Sequence, residues 1–225
     1  MKKILQKIIG KIFHSKYILG NPNIKIPADL SDLEKNKIKS LRRLVTIDQS
    51  SVLYPESIIY NPPNDPLKIK IGKYTHIQGE LHIFNYGGKI EIGDNTYIGK
   101  DSRIWSGEYV KIGNDVLISH LCNIIDTNSH EINPYERADR SKEIFTSGHW
   151  QNKGSIKTAP IIIKDYVWIS FNVTILKGVT IGEGAIIGAG SFVTKDVPNW
   201  ALVVGNPAKV VKIIPIEERL KDYKK

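Results

Sequence analysis

Residues 161–195 read IIIKDYVWISFNVTILKGVTIGEGAIIGAGSFVTK, and a large aliphatic residue recurs in this stretch at every sixth position. The recurring residues are Ile163, Ile169, Ile175, Ile181, Ile187 and Val193. The fourth residue after each of the first five is small or β-branched: Val167, Val173, Val179, Ala185 and Ser191. A period of six fits neither an amphipathic helix nor an alternating strand. It is typical of hexapeptide solenoids, in which short strands wind a coil with an aliphatic interior and small residues near the corners.

The same period runs through the preceding hundred residues with breaks. Its positions there are Ile47, Leu53, Ile59, Ile71, Ile77, Ile83, Ile92, Ile98, Ile104, Ile112, Ile118 and Ile124, and Leu81 is an exception in a small-residue slot. At ~18 residues per coil we predict roughly six full coils. The largest break lies between Ile124 and Ile163, and a long loop that leaves a rigid solenoid is expected to be functional.

These boundaries divide the chain into three parts. Residues 1–43 are predicted to be a basic N-terminal helical segment, and 44–213 a coil domain with a long active-site loop at 126–160. Residues 214–225 form a C-terminal tail with a short helix. The predicted fold class is all-β, and the single cysteine excludes an internal disulfide framework and a cysteine-rich zinc site.

The positive charge of the chain is concentrated at its N-terminus. The formal net charge is +9, and residues 1–43 hold eleven Lys and Arg against three acids, a net of +8. A strongly basic chain usually indicates nucleic acid, anionic lipid or phosphorylated ligands. Here the remaining 182 residues are nearly neutral and no aromatic–basic pattern accompanies the charge. The distribution therefore argues against nucleic-acid binding.

The first nineteen residues combine five lysines with a helical apolar stripe at Ile4, Leu5, Ile8, Ile9, Ile12 and Phe13. Lysines interrupt the apolar run too often for a secretory signal, so we predict a cytoplasmic protein. Two interpretations of this helix stay open. It packs on the body or a partner subunit, or residues 1–20 lie on an anionic membrane at its inner face.

The C-terminal repeats resemble the hexapeptide-repeat acyltransferases, and among them sugar O-acetyltransferases of the maltose/galactoside type. The resemblance rests on the segments from Ile163 to Ile169, Gly178 to Ala185, Gly188 to Pro198 and Gly205 to Lys209. The segment Asp126-Thr-Asn-Ser-His130-Glu-Ile is similar to the loop of polysaccharide O-acetyltransferases. The resemblance implies a left-handed parallel β-helix, usually a homotrimer, with acetyl-CoA bound between neighbouring subunits and a glycan or sugar as acceptor.

The resemblance also implies roles for particular residues. His130 corresponds to the general base. Independently of the resemblance, Asp126, His149 and Trp150 are candidate acceptor contacts because they lie in the long loop, and Trp150 could equally anchor the loop to the coil. The acetyl-CoA contacts would be Trp168, Ser170, Ala189, Thr194, Lys195, Lys209 and Lys212. The pattern departs at two places: Phe171 stands where relatives have a small residue, and Lys100 lies near the position of an acceptor-holding asparagine.

The expected chemistry is direct attack of an acceptor hydroxyl on acetyl-CoA. Imidazole is suited to remove the hydroxyl proton because it titrates near neutral pH. Asp126 and Glu131 are the two candidates for orienting His130. Cys122 occupies a small-residue slot and is predicted to be a buried apolar residue rather than a nucleophile.

Two alternatives to this function remain open. The acceptor could carry another hydroxyl or an amine, as in an antibiotic or an amino sugar, or the coil could be a non-catalytic scaffold. His76, His82 and His120 do not have the spacing of a zinc site on this architecture, so no metal is predicted.

Overall fold

A computed structural model describes residues 30–148 and 152–219. Residues 1–29 and the last six residues lie outside the described chain, and with them the amphipathic helix predicted for residues 1–20. Within it, the helix α1 spans Asp32–Arg42 and begins with a capping box in which Ser31 and Glu34 bond each other's backbone N–H. Its buried residue Ile38 packs with Val45 on the core cluster, so α1 closes the N-terminal end of the coil.

In the described part of the chain twenty short strands follow α1, and all but the last wind into a coil. Their bounds are β1 Thr46–Ile47, β2 Val52–Leu53, β3 Ile58–Tyr60, β4 Ile69–Ile71, β5 His76–Ile77, β6 Glu80–Ile83, β7 Ile90–Ile92, β8 Tyr97–Ile98, β9 Arg103–Ser106, β10 Val110–Ile112, β11 Leu117–Ile118, β12 Asn123–Ile125, β13 Ile161–Ile163, β14 Trp168–Ile169, β15 Thr174–Leu176, β16 Thr180–Ile181, β17 Ile186–Ile187, β18 Phe192–Val193, β19 Ala201–Val204 and β20 Lys209–Ile213. A 3-10 turn, Pro66–Lys68, precedes β4. The helix α2, Pro134–Ser147, lies in the long loop, and α3, Ile216–Arg219, follows β20.

From β1 to β18 every third strand stacks on the same face, and β19 and β20 extend face B. Face A is the sheet β1-β4-β7-β10-β13-β16, face B is β2-β5-β8-β11-β14-β17-β19-β20, and face C is β18-β15-β12-β9-β6-β3. All strand pairs within the faces are parallel except β19 with β20. The chain thus completes six coils, as the six-residue period predicts. We call the turns from face B to face C the B–C edge, and the turns from face C to face A the C–A edge.

The interior of the coil contains the predicted aliphatic residues. One register row on face C runs through Ile59, Leu81, Ile104, Ile124, Ile175 and Val193, and each is at least 93% buried. Several corner slots hold Ser or Thr, whose hydroxyls bond backbone carbonyls of the next coil. Ser51 Oγ donates to Gly72 O at 2.6 Å, and Thr75 Oγ1 donates to Gly93 O at 2.7 Å. A polar corner residue is therefore satisfied although it is buried.

Leu81 lies in the interior and not in a corner slot. It pairs with Ile59 and Ile104 on face C, because the B–C turn of this coil holds fewer residues than the turn of the next coil. Gly79 makes the short turn possible, since a Cβ at this position would overlap the carbonyl oxygen of Ser102. The sequence predicts Ile83 as the next six-residue position after Ile77, and this prediction is wrong by two residues. Leu81 occupies that position, and Ile83 pairs with Ser106.

The outer sides of the faces differ in chemistry. Face A exposes Lys70 and Lys111, whereas the outward residues of face B include Tyr97, Leu117 and Trp168. Within residues 30–148 and 152–219, none of the helices has the length and apolarity needed to cross a membrane.

Candidate functional site

The long loop leaves the coil at the C–A edge, directly after β12. Its two ends are joined by a short antiparallel bridge between Thr127 and Thr158, with Asn128 N donating to Lys157 O at 3.0 Å. Ala159 N also donates to Asp126 O at 3.0 Å. These contacts hold the two ends of the loop together where it leaves the fourth coil, and we call this paired region the neck of the loop.

Asp126 is built into the base of this neck. Its side chain is fully buried and accepts hydrogen bonds from Ser106 Oγ at 2.7 Å and from the backbone N–H groups of Gly107, Glu108 and Tyr109 at 2.6–3.1 Å. Burial raises the pKa of the Asp126 carboxyl, and these hydrogen bonds oppose the rise. Both carboxylate oxygens are engaged by the preceding coil, so the structure places Asp126 as a support of the loop and away from any open surface.

His130 lies four residues further along and is exposed. The residues before it are fixed, because Tyr86 OH lies 3.0 Å from Thr127 Oγ1 and Ser129 N donates to the same oxygen at 3.0 Å. Burial raises the pKa of Tyr86 to about 12, with smaller contributions from the charges of Asp126 and Glu131. Among the described residues, no carboxylate forms a hydrogen bond to the His130 imidazole, and neither orienting candidate occupies that position.

The helix α2 was not expected from the sequence. It begins at Asn133, whose side chain accepts from Tyr135 N and Glu136 N, with Pro134 in the first turn. An asparagine cap followed by proline is a recognised helix start, so this signal could have been found. Glu136 accepts a hydrogen bond from Ser155 Oγ, which attaches α2 to the part of the loop that returns to the coil.

The B–C edge lies on the other side of face C. There, successive turns stack Lys100, His120, Phe171 and Ala189 along the coil axis, linked by backbone bonds such as Asn172 N to His120 O at 3.0 Å and Gly190 N to Phe171 O at 3.0 Å. The rings of His120 and Phe171 lie parallel, with centroids 5.4 Å apart. Phe171 is 49% exposed and forms part of the surface of this edge.

A cavity of about 470 Å³ opens on this edge at the level of the third and fourth coils. Its lining combines one cation, one carboxylate, an imidazole and apolar surface: Tyr97, Lys100, Asp101, Leu117, Ser119, His120 and Leu121. Neighbouring coils are ~4.8 Å apart. The cavity lies on the same edge as Ala189, two to three coils away along the axis.

The structure divides the predicted acetyl-CoA contacts between two edges. Ser170 and Ala189 lie at the B–C edge, half-buried Trp168 faces outward beside them on face B, and Thr194 and Lys195 lie at the C–A edge after β18. The exposed β20 carries Lys209 and Lys212, and Lys212 Nζ lies 3.4 Å from Glu218. His149 and Trp150, the predicted acceptor contacts, lie outside the described residues.

Two further side chains are structural. Cys122 is fully buried, its thiol donates to Ser170 O at 3.1 Å, and burial raises its pKa. His76 is 6% exposed with Nδ1 3.1 Å from Tyr54 OH, and burial lowers its pKa. The described residues contain no cluster of three or more His, Cys, Asp or Glu side chains suited to a metal ion.

Residues 160–195 match the family described as bacterial transferase hexapeptide (six repeats). Together with the three parallel sheets, this match shows the hexapeptide-repeat fold, a left-handed parallel β-helix. Its homologues are acetyltransferases.

Among these homologues is the polysialic acid O-acetyltransferase of Escherichia coli O1:K1 / APEC, which is 30% identical over 197 residues, 86% of this chain. The chain spans 58% of the length of that relative. The polySia-specific acetyltransferase NeuO is a solved structure with 31% identity, a TM-score of 0.50, and coverage of 70% of this chain and 65% of that chain. AntD, an N-acyltransferase from Bacillus cereus solved with dTDP and 3-hydroxybutyryl-CoA, shares the fold at 22% identity and a TM-score of 0.61, covering 81% of this chain and 89% of that chain.

Proposed function

We propose that the protein is an acetyl-CoA-dependent O-acetyltransferase that transfers acetyl to a sugar hydroxyl of a surface glycan or its precursor. The observation that carries the proposal is the exposed His130 on an anchored loop, in a coil homologous to polysaccharide O-acetyltransferases. Coenzyme A complexes of related folds support acetyl-CoA as the donor.

In the proposed reaction His130 removes the proton of the acceptor hydroxyl while its oxygen attacks the thioester carbonyl. The new C–O bond forms, the C–S bond breaks, and the proton held by the imidazole passes to the leaving thiolate of coenzyme A. No covalent enzyme intermediate is needed, which is consistent with the buried and unreactive position of Cys122. A backbone N–H of the coil supplies the hydrogen bond to the oxyanion.

We also propose that the active site is completed by a second copy in a homotrimer. Within one chain, His130 extends from the C–A edge, whereas Ser170, Ala189 and the cavity lie at the B–C edge, with the whole of face C between them. In a cyclic assembly the C–A edge of one copy meets the B–C edge of the next. The cavity spans the third and fourth coils, and the loop with His130 leaves from the fourth coil, so the two halves of the site lie at a similar level along the coil axis.

The cavity is the proposed acceptor site. It combines hydrogen-bonding groups, Ser119, His120 and Lys100, with the apolar surface of Leu117 and Tyr97. Sugars present the same mixture of hydroxyls and apolar C–H faces. Lys209 and Lys212 on β20 would then contact the coenzyme A phosphates at the far end of the edge.

The cellular location is part of the proposal as well. We place the protein in the cytoplasm, with residues 1–20 in contact with the inner face of the membrane, because their lysines and apolar stripe suit an anionic bilayer surface. Co-sedimentation with anionic vesicles compares the intact chain with a chain that lacks residues 1–20. Equal pelleting of the two would contradict membrane contact.

An acceptor screen tests the function directly. The intact protein is mixed with acetyl-CoA and with polysialic acid, neutral polysaccharides, free sugars, nucleotide sugars or amino sugars, and release of coenzyme A is followed. Release that depends on a hydroxyl acceptor, with an O-acetyl product found by mass spectrometry, is the expected result. Transfer to amines alone, or no transfer with any acceptor, would contradict it.

A further inference from the structure

Glu131 is a buried carboxylate that the proposed mechanism does not use. It follows His130 directly in sequence, is 1% exposed, and its side-chain oxygens lack a hydrogen-bond donor among the described residues. A charge removed from water in this way is costly unless an opposite charge lies close to it. A nearby positive charge is therefore needed to stabilise Glu131 in this buried position.

The compensating charge is Arg140, which lies one and a half turns into α2. Its Nε lies 3.0 Å from Oε1 of Glu131, and its side chain is 16% exposed. The contact is an ion pair without hydrogen-bond geometry. It joins the segment that carries His130 to the helix of the same loop.

Arg140 is itself held by the returning part of the loop. Its Nη1 donates to Asn152 O at 3.0 Å, and a Cβ at residue 154 would overlap Nη2, so the guanidinium packs directly on Gly154. Arg137 adds a second connection, since its Nη1 donates to Glu131 O at 2.7 Å and to Ile132 O at 3.2 Å. Helix, outgoing segment and returning segment thus meet around Glu131.

The segment with His130 is consequently anchored on both sides. Before it, Thr127 Oγ1 accepts from Ser129 N and contacts Tyr86 OH on the coil. After it, Glu131 is buried against Arg140. His130 is the exposed residue between these two anchors.

We propose that Glu131 and Arg140 are positioning residues that hold the His130 imidazole in its reactive place. This inference rests on the proposed function. Buried ion pairs contribute little net stability but specify one arrangement of the groups they join in some systems. A displacement of ~1 Å at a reacting group can cost about 10²-fold in rate. Loss of the ion pair should therefore lower the rate of acetyl transfer, whereas the acetyl-CoA contacts at the B–C edge should keep their structure.

The test uses the full chain with Glu131→Gln, Arg140→Met and Arg140→Lys. The matched control is Lys142→Met, which removes a cation from the exposed pair with Asp139 on the same helix. Turnover with acetyl-CoA and the acceptor identified in the screen gives kcat and the KM for acetyl-CoA, and hydrogen exchange reports the amides of residues 127–133. We expect Glu131→Gln and Arg140→Met to lower kcat about 10²-fold, to leave the KM for acetyl-CoA within about twofold, and to speed exchange in residues 127–133.

Arg140→Lys retains the charge and should recover part of the lost kcat, and Lys142→Met should behave as wild type. Unchanged turnover in Glu131→Gln and Arg140→Met, whether or not exchange rises, overturns the positioning role. A parallel rise in KM for acetyl-CoA overturns it too, because a general loss of structure would act on both edges. Absence of wild-type turnover with every acceptor of the screen contradicts the proposed function instead, and the exchange data then decide separately whether the pair anchors the segment.

Discussion

His130 is the residue whose substitution should separate chemistry from binding. We expect His130→Ala to lower acetyl transfer by ~100-fold or more, because a positioned general base contributes about that much. Binding of acetyl-CoA, measured by calorimetry, should be unchanged, since Ser170 and Ala189 lie at the B–C edge and Thr194 and Lys195 follow β18, two coils beyond the loop that carries His130. Lys111→Ala, on the exposed face A, is the control. Wild-type turnover of His130→Ala would remove the histidine from the mechanism.

Cys122 gives a second prediction for a single side chain. Its thiol is fully buried and burial raises its pKa, so the reactive thiolate is scarce and inaccessible. We expect a thiol reagent such as Ellman's reagent to modify the native protein negligibly and to modify one thiol per chain after denaturation. Rapid modification of the folded protein would contradict the burial of Cys122.

At the scale of the strands, replacing Leu81 tests whether its side chain lies in the interior of face C or in a corner slot. Because its side chain fills the interior of face C, Leu81→Ala should lower the free energy of unfolding by about 2–5 kcal/mol, measured by chemical denaturation. Cys122→Ala, in a true corner slot, should cost less, since a small residue suits that position. If Leu81 were in a corner slot, its replacement by alanine would be neutral or stabilising.

The elements also explain which features the sequence could reveal. The same pattern, an aliphatic residue at every sixth position and a small residue four positions later, repeats many times along the chain. The sequence therefore predicts the faces of the coil, the number of coils and the corner residues. The contacts around His130 join distant parts of the chain: Tyr86 meets Thr127 across 41 residues, and the donors to Asp126 come from the preceding coil. The pairing of Glu131 with Arg140 depends on α2 and on Gly154 in the returning segment. Contacts between residues far apart in sequence leave no local sequence pattern. For this reason we expected Asp126 to contact the acceptor, whereas its carboxylate is buried beneath the loop.

For the whole molecule, the separation of His130 from the B–C edge predicts complementation between inactive copies. His130→Ala removes the base, and Ala189→Glu places a charged side chain across the proposed acetyl-CoA edge, where Ala189 is exposed. Each homogeneous variant should lack turnover. In a cyclic trimer assembled from equal amounts of both, about one site in four combines an intact loop with an intact edge from its neighbour.

The co-expressed mixture should therefore recover about a quarter of wild-type turnover per site, measured as acceptor-dependent release of coenzyme A. Sedimentation of the wild-type protein should give three times the chain mass of 25.4 kDa. Mixing the two purified variants without exchange of subunits should recover nothing and is the control for the assembly step. If each chain held a complete site, the co-expressed mixture would stay at the level of the two single variants, because neither loop nor edge could then be supplied by a neighbour.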